Sequence, residues 1–196
     1  MKKFLFLESF SEYEPDYVTD YSNNIWDAIS RNDIEYIKRY IDSGKDLNLI
    51  KDGLFSENHT LLTYAINHET EINNKVVKIL LYGGCDPEKS DKNGNTPLMT
   101  AVFYDNLEIT KILIINYDVD INKRNINNLS ALTESIRQVN RDTFVFLLKN
   151  GAKFESQEIG SLYRKDNPTF VEILKMDYPQ YFNKYDKYVK KLKFNL

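Results

Sequence analysis

The sequence predicts an all-helical solenoid, in which short pairs of helices stack side by side. Two observations indicate this fold. Apolar residues recur at helical spacing in short segments, and the same combination of turn and helix pair returns along the chain at a near-constant interval. Two short amphipathic helices cannot bury their own apolar faces, so each pair needs a copy beside it. The chain has 196 residues, enough for one extended domain with a continuous core.

The clearest copy of the pattern lies at residues 91–122. It opens with the turn sequence Asp-Lys-Asn-Gly, in which Gly94 can take a positive φ without steric cost. Thr96-Pro97 predicts a helix start, because the hydroxyl can cap an unpaired N–H and proline at the first position loses no hydrogen bond. Asp105-Asn106 ends this helix. The apolar stripe of a second helix follows at Ile109, Ile112 and Leu113.

Two neighbouring segments repeat this pattern. The copy at Thr60 precedes the one at Thr96 by 36 positions, and the copy at Ser130 follows it by 34. The second helices also agree, at 78–81, 111–114 and 145–148. In its T-P-L-M-T-A sequence and its spacing, the chain resembles the ankyrin repeat family, which has about 33 residues per repeat and the signature T-P-L-H-x-A.

The resemblance covers roughly 24–176 and implies a scaffold of about five helix-turn-helix repeats that binds another protein. The predicted repeats are 24–49, 50–88, 89–122, 123–154 and 155–176. An acidic and aromatic capping segment at 1–23 is expected to precede them, and an amphipathic capping helix at 177–196 to follow them.

The first repeat lacks the leading turn of the others. Asn24 is predicted to cap its first helix, Asn32-Asp33 to form the turn and Gly44 to end its second helix. Ile34, Ile37 and Ile41 form its apolar stripe. Trp26 stands where the family has its signature histidine, and we expect it to fill the core at the end of the stack.

The second repeat is irregular, with longer segments at 50–58 and 68–74. Insertions in repeat proteins fall in loops on one face, which is often the face that binds. Long surface loops also cost little entropy to close. The sequence therefore leaves two readings open, binding loops or neutral drift.

The last two repeats follow the pattern with local changes. Asn128 replaces the turn glycine of the preceding repeat, and Asn150-Gly151-Ala152 closes the fourth repeat. The fifth repeat is shorter, with helices predicted at 159–163 and 168–176 and with Asn167-Pro168 as a helix start.

Both ends of the chain differ from the repeats. Segment 1–23 mixes aromatic and acidic residues, and it is expected either to pack on the first repeat or to order on a partner. Its apolar run at 4–7 is too short for a signal peptide. At the other end, Tyr178, Tyr181, Tyr185, Tyr188 and Leu192 recur at helical spacing opposite lysines. This predicts a cap over the last apolar face, and contact with an acidic partner or membrane surface is the alternative.

The composition excludes several classes of protein. The net charge of −3 is too small to argue for binding to nucleic acid or to a membrane surface. No segment approaches the run of about 20 apolar residues that a membrane span needs. The single cysteine permits no internal disulfide, which fits a reducing compartment such as the cytoplasm. The chain is expected to be monomeric on its own.

The sequence predicts no catalytic, metal or cofactor site. His59 and His68 lie nine positions apart in a loop and a turn, and both are expected to be exposed. Cys85 occupies the position of a small alanine in the family and is predicted to be buried. The carboxylates are expected on the surface, where ion pairs contribute under about 1 kcal/mol.

The resemblance also implies which residues face a partner, because ankyrin repeats use the loop tips and the ends of their first helices. Carried over repeat by repeat, these positions are Arg31, His59, His68, Lys92, Asn93, Asn95, Phe103, Tyr104, Ile126, Asn127, Leu129, Arg137 and Gln138. Phe103, Tyr104 and Arg137 are expected to be neighbours, and aromatic and arginine side chains dominate interface hot spots. The alternative for Phe103 is packing against the enlarged turn near Ile72.

One departure from the family is consistent. The signature histidine, which ties neighbouring repeats together, is replaced by Thr63, Met99 and Thr133. Thr can supply part of this contact and Met99 cannot, so the stack is expected to be less rigid than a regular array.

The predicted function is non-catalytic binding of a protein, with an inhibitor or immunity protein as the specific form. An effector or viral adaptor that captures a host protein is the alternative. From other classes, a regulatory subunit of an enzyme, a hydrolase that uses His59 or His68, and a self-associating scaffold remain open.

Overall fold

The computed structural model describes residues 24–51, 59–67 and 73–194. The expected N-terminal cap at 1–23, most of the insertion at 50–58, His68 and Ile72 lie outside the described residues. The expectations that concern them therefore stay predictions.

The described residues form eleven helices, and their only β-type pairing is an isolated antiparallel bridge between Ile50 and Thr60. This confirms the predicted all-helical solenoid. The helices are α1 Ile25–Arg31, α2 Ile34–Asp42, α3 Leu61–Asn67, α4 Asn73–Gly83, α5 Pro97–Phe103, α6 Leu107–Tyr117, α7 Ala131–Gln138, α8 Arg141–Lys149, α9 Ser156–Lys165, α10 Pro168–Asp177 and α11 Pro179–Phe194.

Local sequence signals set the helix ends as predicted. The Asn24 side chain accepts a hydrogen bond from the N–H of Asp27 at 3.0 Å, and the Thr96 hydroxyl accepts one from Met99 at 3.1 Å. Asn32 and Asn128 take left-handed conformations with φ of 57° and 58°. Asparagine tolerates this region because its short polar side chain can bond locally.

The first helices of the pairs, α1, α3, α5, α7 and α9, pack against one another in chain order. In the centre of the stack, the second helices α4, α6 and α8 contact one another less extensively. The stack therefore curves around its first helices, which form the concave face. Between the two layers lies one continuous apolar core, which includes Leu98, Leu113 and Phe144.

The C-terminal helix α11 covers the end of this core, as predicted. Tyr181 packs against Phe154 with ring centroids 5.6 Å apart, and Tyr188 lies 6.0 Å from Tyr163. The lysines at 184, 187, 190, 191 and 193 are exposed on the opposite side. At the other end of the described stack, Trp26 is half-buried and meets Tyr64 edge-on at 5.3 Å.

The structure corrects four expectations. Helix α4 begins at Asn73, so the turn predicted at 68–74 ends earlier, and α9 is longer than the predicted 159–163. His59 is half-buried rather than exposed, because it lies beside the ring of Tyr64. The carboxylates are not all on the surface, since Glu134 and Glu158 are buried against neighbouring polar side chains.

Truncation of Leu98 tests the register of the repeats. Leu98 is 2% exposed in the core, so Leu98→Ala should lower the free energy of unfolding by about 2–5 kcal/mol through lost burial and a cavity. Ile115→Ala is the matched control, because Ile115 is 66% exposed and its truncation should change the free energy by about 0.5 kcal/mol or less. Urea unfolding monitored by circular dichroism measures both. Equal effects of the two substitutions would contradict the register.

Candidate functional site

Two loops at the edge of the concave face share one hydrogen-bonding arrangement. In the loop at 91–95, the Asp91 carboxylate accepts from the N–H groups of Asn93 and Asn95, each at 2.8 Å. In the loop at 125–129, the Asn125 side chain accepts from Asn127 at 3.0 Å and Leu129 at 2.9 Å. The side chains of Asp91 and Asn125 thus fix both loops in the same shape.

The two loops are also joined to each other. The Asn125 amide donates to the Asn95 side-chain oxygen at 2.7 Å, and the Ile126 N–H donates to the Asn93 carbonyl at 3.1 Å. Gly94 allows this close approach, because a Cβ there would lie 3.2 Å from Asn125 Cα and the residue has φ of 75°. These contacts fix the spacing between the third and fourth repeats. We call this set, Asp91, Asn93, Gly94, Asn95, Asn125 and Ile126, the loop network.

Beside the loop network lies a groove of about 280 Å³, which we call the central groove. Its lining comprises His59, Asp91, Asn95, Met99, Thr100, Phe103, Tyr104, Asn125, Asn127, Leu129, Glu134 and Arg137. Phe103 is 48% exposed at its rim and meets Tyr104 edge-on, with ring centroids 5.0 Å apart. The groove therefore combines an exposed aromatic surface with polar groups from three successive repeats.

The structure brings most of the sequence-predicted positions into this groove. Those that line it are His59, Asn95, Phe103, Tyr104, Asn127, Leu129 and Arg137. Lys92, Asn93 and Ile126 are exposed on the loop tips, and Gln138 is exposed at the end of α7. Arg31 lies on α1, outside the groove lining, and pairs with Asp27 at 3.0 Å. His68 lies outside the described residues.

Glu134 is a groove residue that the sequence did not indicate. It is 7% exposed, and one of its carboxylate oxygens accepts from the Arg137 guanidinium at 2.9 Å. Its position on the helix, three residues before Arg137, is a signal for such a pair. The pair holds the Arg137 side chain at the boundary between the central groove and the next repeat.

Glu158 is the second buried carboxylate, and it joins the fourth and fifth repeats. Its side chain is 0% exposed and accepts hydrogen bonds from Ser130 Oγ and Thr133 Oγ1, each at 2.7 Å. The Arg124 guanidinium bridges both carboxylate oxygens, at 3.1 and 3.2 Å. Burial by itself raises the pKa of a carboxyl group, but hydrogen bonds from Arg124, Thr133 and Ser130 outweigh it and lower the pKa of Glu158 below its ordinary value of 4.5.

A second open surface continues from the central groove towards the C-terminus. This pocket, which we call the C-terminal pocket, has a volume of about 620 Å³ and is lined by Asn127, Leu129, Arg137, Ser161, Arg164 and Lys165. The sequence did not predict the lining residues that α9 contributes, which are Ser161, Arg164 and Lys165. The reason is that the fifth repeat lacks the loop that set the register of the other repeats. The sequence does contain a signal for this alignment. Leu132 and Ile159 are apolar residues of the two first helices and lie 27 positions apart, and the same interval separates Arg137 from Arg164.

Other reactive groups occupy structural positions. Cys85 is buried, its thiol donates to the Leu47 carbonyl at 3.0 Å, and burial raises its pKa to about 12. Within 24–51, 59–67 and 73–194, no three His, Cys, Asp or Glu side chains lie close enough to hold a metal ion. In the same part of the chain, no helix combines the length and the apolar character required to cross a membrane.

Comparison with known proteins supplies independent evidence on the family. A family model described as ankyrin repeats in three copies matches residues 25–125 and 70–158. An ankyrin repeat-containing protein of Schizosaccharomyces pombe is 29% identical over 108 residues, which are 55% of this chain and 47% of that protein. An ankyrin repeat protein of variola virus is 37% identical over 75 residues, which are 35% of this chain and 13% of that protein. The chain thus spans less than half of either relative.

A substitution at Gly94 tests the loop network. Gly94→Ala should destabilise the fold for two reasons, a strained positive φ and the contact of the new Cβ with Asn125. Gly44→Ala is the matched control, because Gly44 has φ of 69° but no atom within 4 Å of its Cβ position. We expect Gly94→Ala to cost at least about 1 kcal/mol more than Gly44→Ala in thermal unfolding. Equal losses would mean that the approach of the two loops is not tight.

The buried ion pair of Glu158 predicts a dependence of stability on pH. Because the folded pKa lies below 4.5, the ionised carboxylate stabilises the fold above about pH 4.5, and this contribution is lost as the pH falls through the folded pKa. Glu158→Gln should lower the free energy of unfolding at neutral pH by about 3 kcal/mol, since Arg124 loses its buried partner.

The same variant should also lose part of the acid-dependent slope below about pH 4.5, where the wild-type carboxylate takes up its proton. The exposed Glu172→Gln is the control, and it should leave both the stability and the slope nearly unchanged. Chemical unfolding at a series of pH values measures these quantities. A wild-type and a Glu158→Gln profile with equal slopes would show that Glu158 does not carry the dependence.

Proposed function

The chain belongs to the ankyrin repeat family, and from this premise we propose that it binds a partner protein through its concave face, with the central groove at the contact. Ankyrin repeats generally mediate interactions between proteins and are generally not catalytic. The proposal assigns this role to a defined surface, formed where the third and fourth repeats meet.

The exposed Phe103 at the rim of the groove is the observation that carries the proposal. Nearly half of its surface is open to solvent, although the end of a short helix needs no aromatic residue for folding. A partner that covered Phe103 would gain a large apolar contact at a low entropic cost. Arg137 lines the same groove, so an aromatic residue and an arginine, both enriched at interface hot spots, stand on successive repeats.

The rigidity of the surrounding loops supports the same surface. The side chains of Asp91, Asn95 and Asn125 are bound to each other or to loop backbone, so the groove edge is formed before any partner arrives. A preformed surface binds more tightly than a flexible one, because fewer groups lose freedom on association. This assigns Asn95 and Asn125 the role of holding the groove in shape, while Phe103, Asn127 and Arg137 make the contact.

In its specific form, we propose that the chain acts as an inhibitor or immunity protein. Such a protein works by covering a functional surface of its partner, and it therefore needs shape and charge complementarity but no reactive group of its own. The raised pKa of the Cys85 thiol and its burial are consistent with this form, because they leave the thiol unreactive.

The test compares capture of a partner by three tagged chains. Circular dichroism melts first establish that each chain is folded, because Arg137→Ala leaves the buried Glu134 carboxylate without its cation. The wild type is set beside Phe103→Ala/Arg137→Ala, which removes the two exposed contacts while sparing the partly buried Tyr104. The matched control is Ile115→Ala/Arg141→Ala, which removes an exposed apolar residue and an exposed arginine from α6 and α8, away from the groove. The lysate comes from the source organism.

A protein that binds the wild type and the control, but binds the groove variant at least tenfold more weakly, would support the proposal. Tenfold corresponds to about 1.4 kcal/mol, which is within the range of a hot-spot truncation. Equal binding to all three chains would place the interface outside the central groove and contradict the proposal.

A further inference from the structure

The C-terminal pocket is positively charged, in a chain whose net charge is −3. Arg137, Arg164 and Lys165 line it, and the remaining lining residues are the neutral Asn127, Leu129 and Ser161. No carboxylate belongs to this lining, whereas the central groove contains Asp91 and Glu134. The charge of the concave face therefore changes along its length, from a groove that contains carboxylates to a pocket that contains only cations and neutral residues.

Two of these cations have no ionic partner within the described residues. Arg164 donates to the Ser161 hydroxyl at 3.2 Å, which is a neutral contact, and neither Arg164 nor Lys165 forms an ion pair there. Arg137 pairs with Glu134 at 2.9 Å, yet its side chain stays 47% exposed. The positive charge of this surface is therefore only partly compensated by the fold.

Helix ends explain the sign of these charges but not their assembly. Arg137 lies in the last turn of α7, and Arg164 and Lys165 in the last turn of α9, where cations interact favourably with the helix dipole. Each helix would gain this dipole interaction even if the other helix were not beside it. Stacking of the two repeats brings the helix ends to one pocket, and like charges brought together in this way repel unless an anion lies between them.

We propose that the C-terminal pocket binds an acidic segment of the partner protein, with a glutamate or aspartate side chain placed among Arg137, Arg164 and Lys165. This inference rests on the proposed function, because it assumes that the concave face receives a protein. Guanidinium groups suit a carboxylate, since their N–H donors match its two oxygens. The Asn127 amide can donate in addition, and Ser161 holds Arg164 towards the pocket.

The position of Arg137 determines how the segment would run. Arg137, Asn127 and Leu129 line both the central groove and the C-terminal pocket, so the two surfaces are continuous. A segment that places an apolar side chain against Phe103 can continue across Leu129 and place its carboxylate at α9. The partner chemistry is therefore an apolar residue followed or preceded, at a short distance, by an acidic one.

The experiment selects peptides from a displayed library of random dodecapeptides on the wild-type protein. Selected peptides should be enriched in Asp and Glu relative to the input library. Each is then measured by fluorescence polarisation against Arg164→Glu/Lys165→Glu and against the neutral Arg164→Gln/Lys165→Gln. The matched control is Lys187→Glu/Lys191→Glu, which makes the same change of charge at exposed positions of α11 outside both surfaces.

We expect the charge-reversed variant to bind the selected peptides at least tenfold more weakly, the neutral variant to lie between, and the control to match the wild type. Circular dichroism melts confirm that all variants are folded. Peptides without acidic enrichment, or peptides that bind the charge-reversed variant as well as the wild type, would overturn the inference.

The single substitution Phe103→Ala separates this failure from failure of the proposed function, because it removes the apolar contact and leaves all three cations of the C-terminal pocket in place. Peptides that bind the charge-reversed variant as tightly as the wild type but bind Phe103→Ala more weakly would overturn the acidic partner and leave the concave face as the binding surface. Peptides that bind both variants as tightly as the wild type would overturn both proposals.

Discussion

A carboxylate with no exposed surface holds the fourth and fifth repeats together. Glu158 accepts hydrogen bonds from Ser130 and Thr133 of one repeat, and the Arg124 guanidinium closes over both of its oxygens. A buried ion pair costs desolvation and is weak evidence for high stability, but an unpaired buried charge is strongly unfavourable. The fifth repeat must therefore sit in one position relative to the fourth. The C-terminal pocket depends on this contact, because it is formed by residues from both repeats.

Elsewhere in the stack, asparagine side chains provide several of the polar contacts between repeats. Asn106 donates to the Asn74 side chain at 2.7 Å, and Asn140 donates to the Val102 carbonyl at 2.7 Å. At the signature histidine positions, Thr133 reaches Glu158, whereas Thr63 bonds within its own repeat through Thr60. Met99 offers no such bond, yet its repeat is joined to the next through the loop network. The stack thus keeps a polar contact between repeats at Thr133, and beside Met99 the loop network supplies the contact instead.

The sequence predicted the features that depend on local chemistry and missed those that depend on which repeat faces which. Caps such as Asn24 and Thr96, and left-handed turns such as Asn128, follow from the residue and its neighbours. The groove position of Phe103 followed from the repeat register. The burial of Glu158 could not be read this way, because its partners lie 25 to 34 positions earlier in the chain. Arg164 and Lys165 were missed because the shortened fifth repeat offered no loop for alignment.

The loop network separates the residues that maintain the scaffold from those that meet the solvent. Asp91, Asn95 and Asn125 direct their side chains to one another and to the loop backbone, whereas Ile126 and Asn127 on the same loops are exposed. Substitutions at the exposed positions can accumulate without disturbing the spacing of the repeats. The same framework can therefore be redirected to a different partner through a few exchanges on its loop tips and helix ends, provided that the three framework side chains are kept.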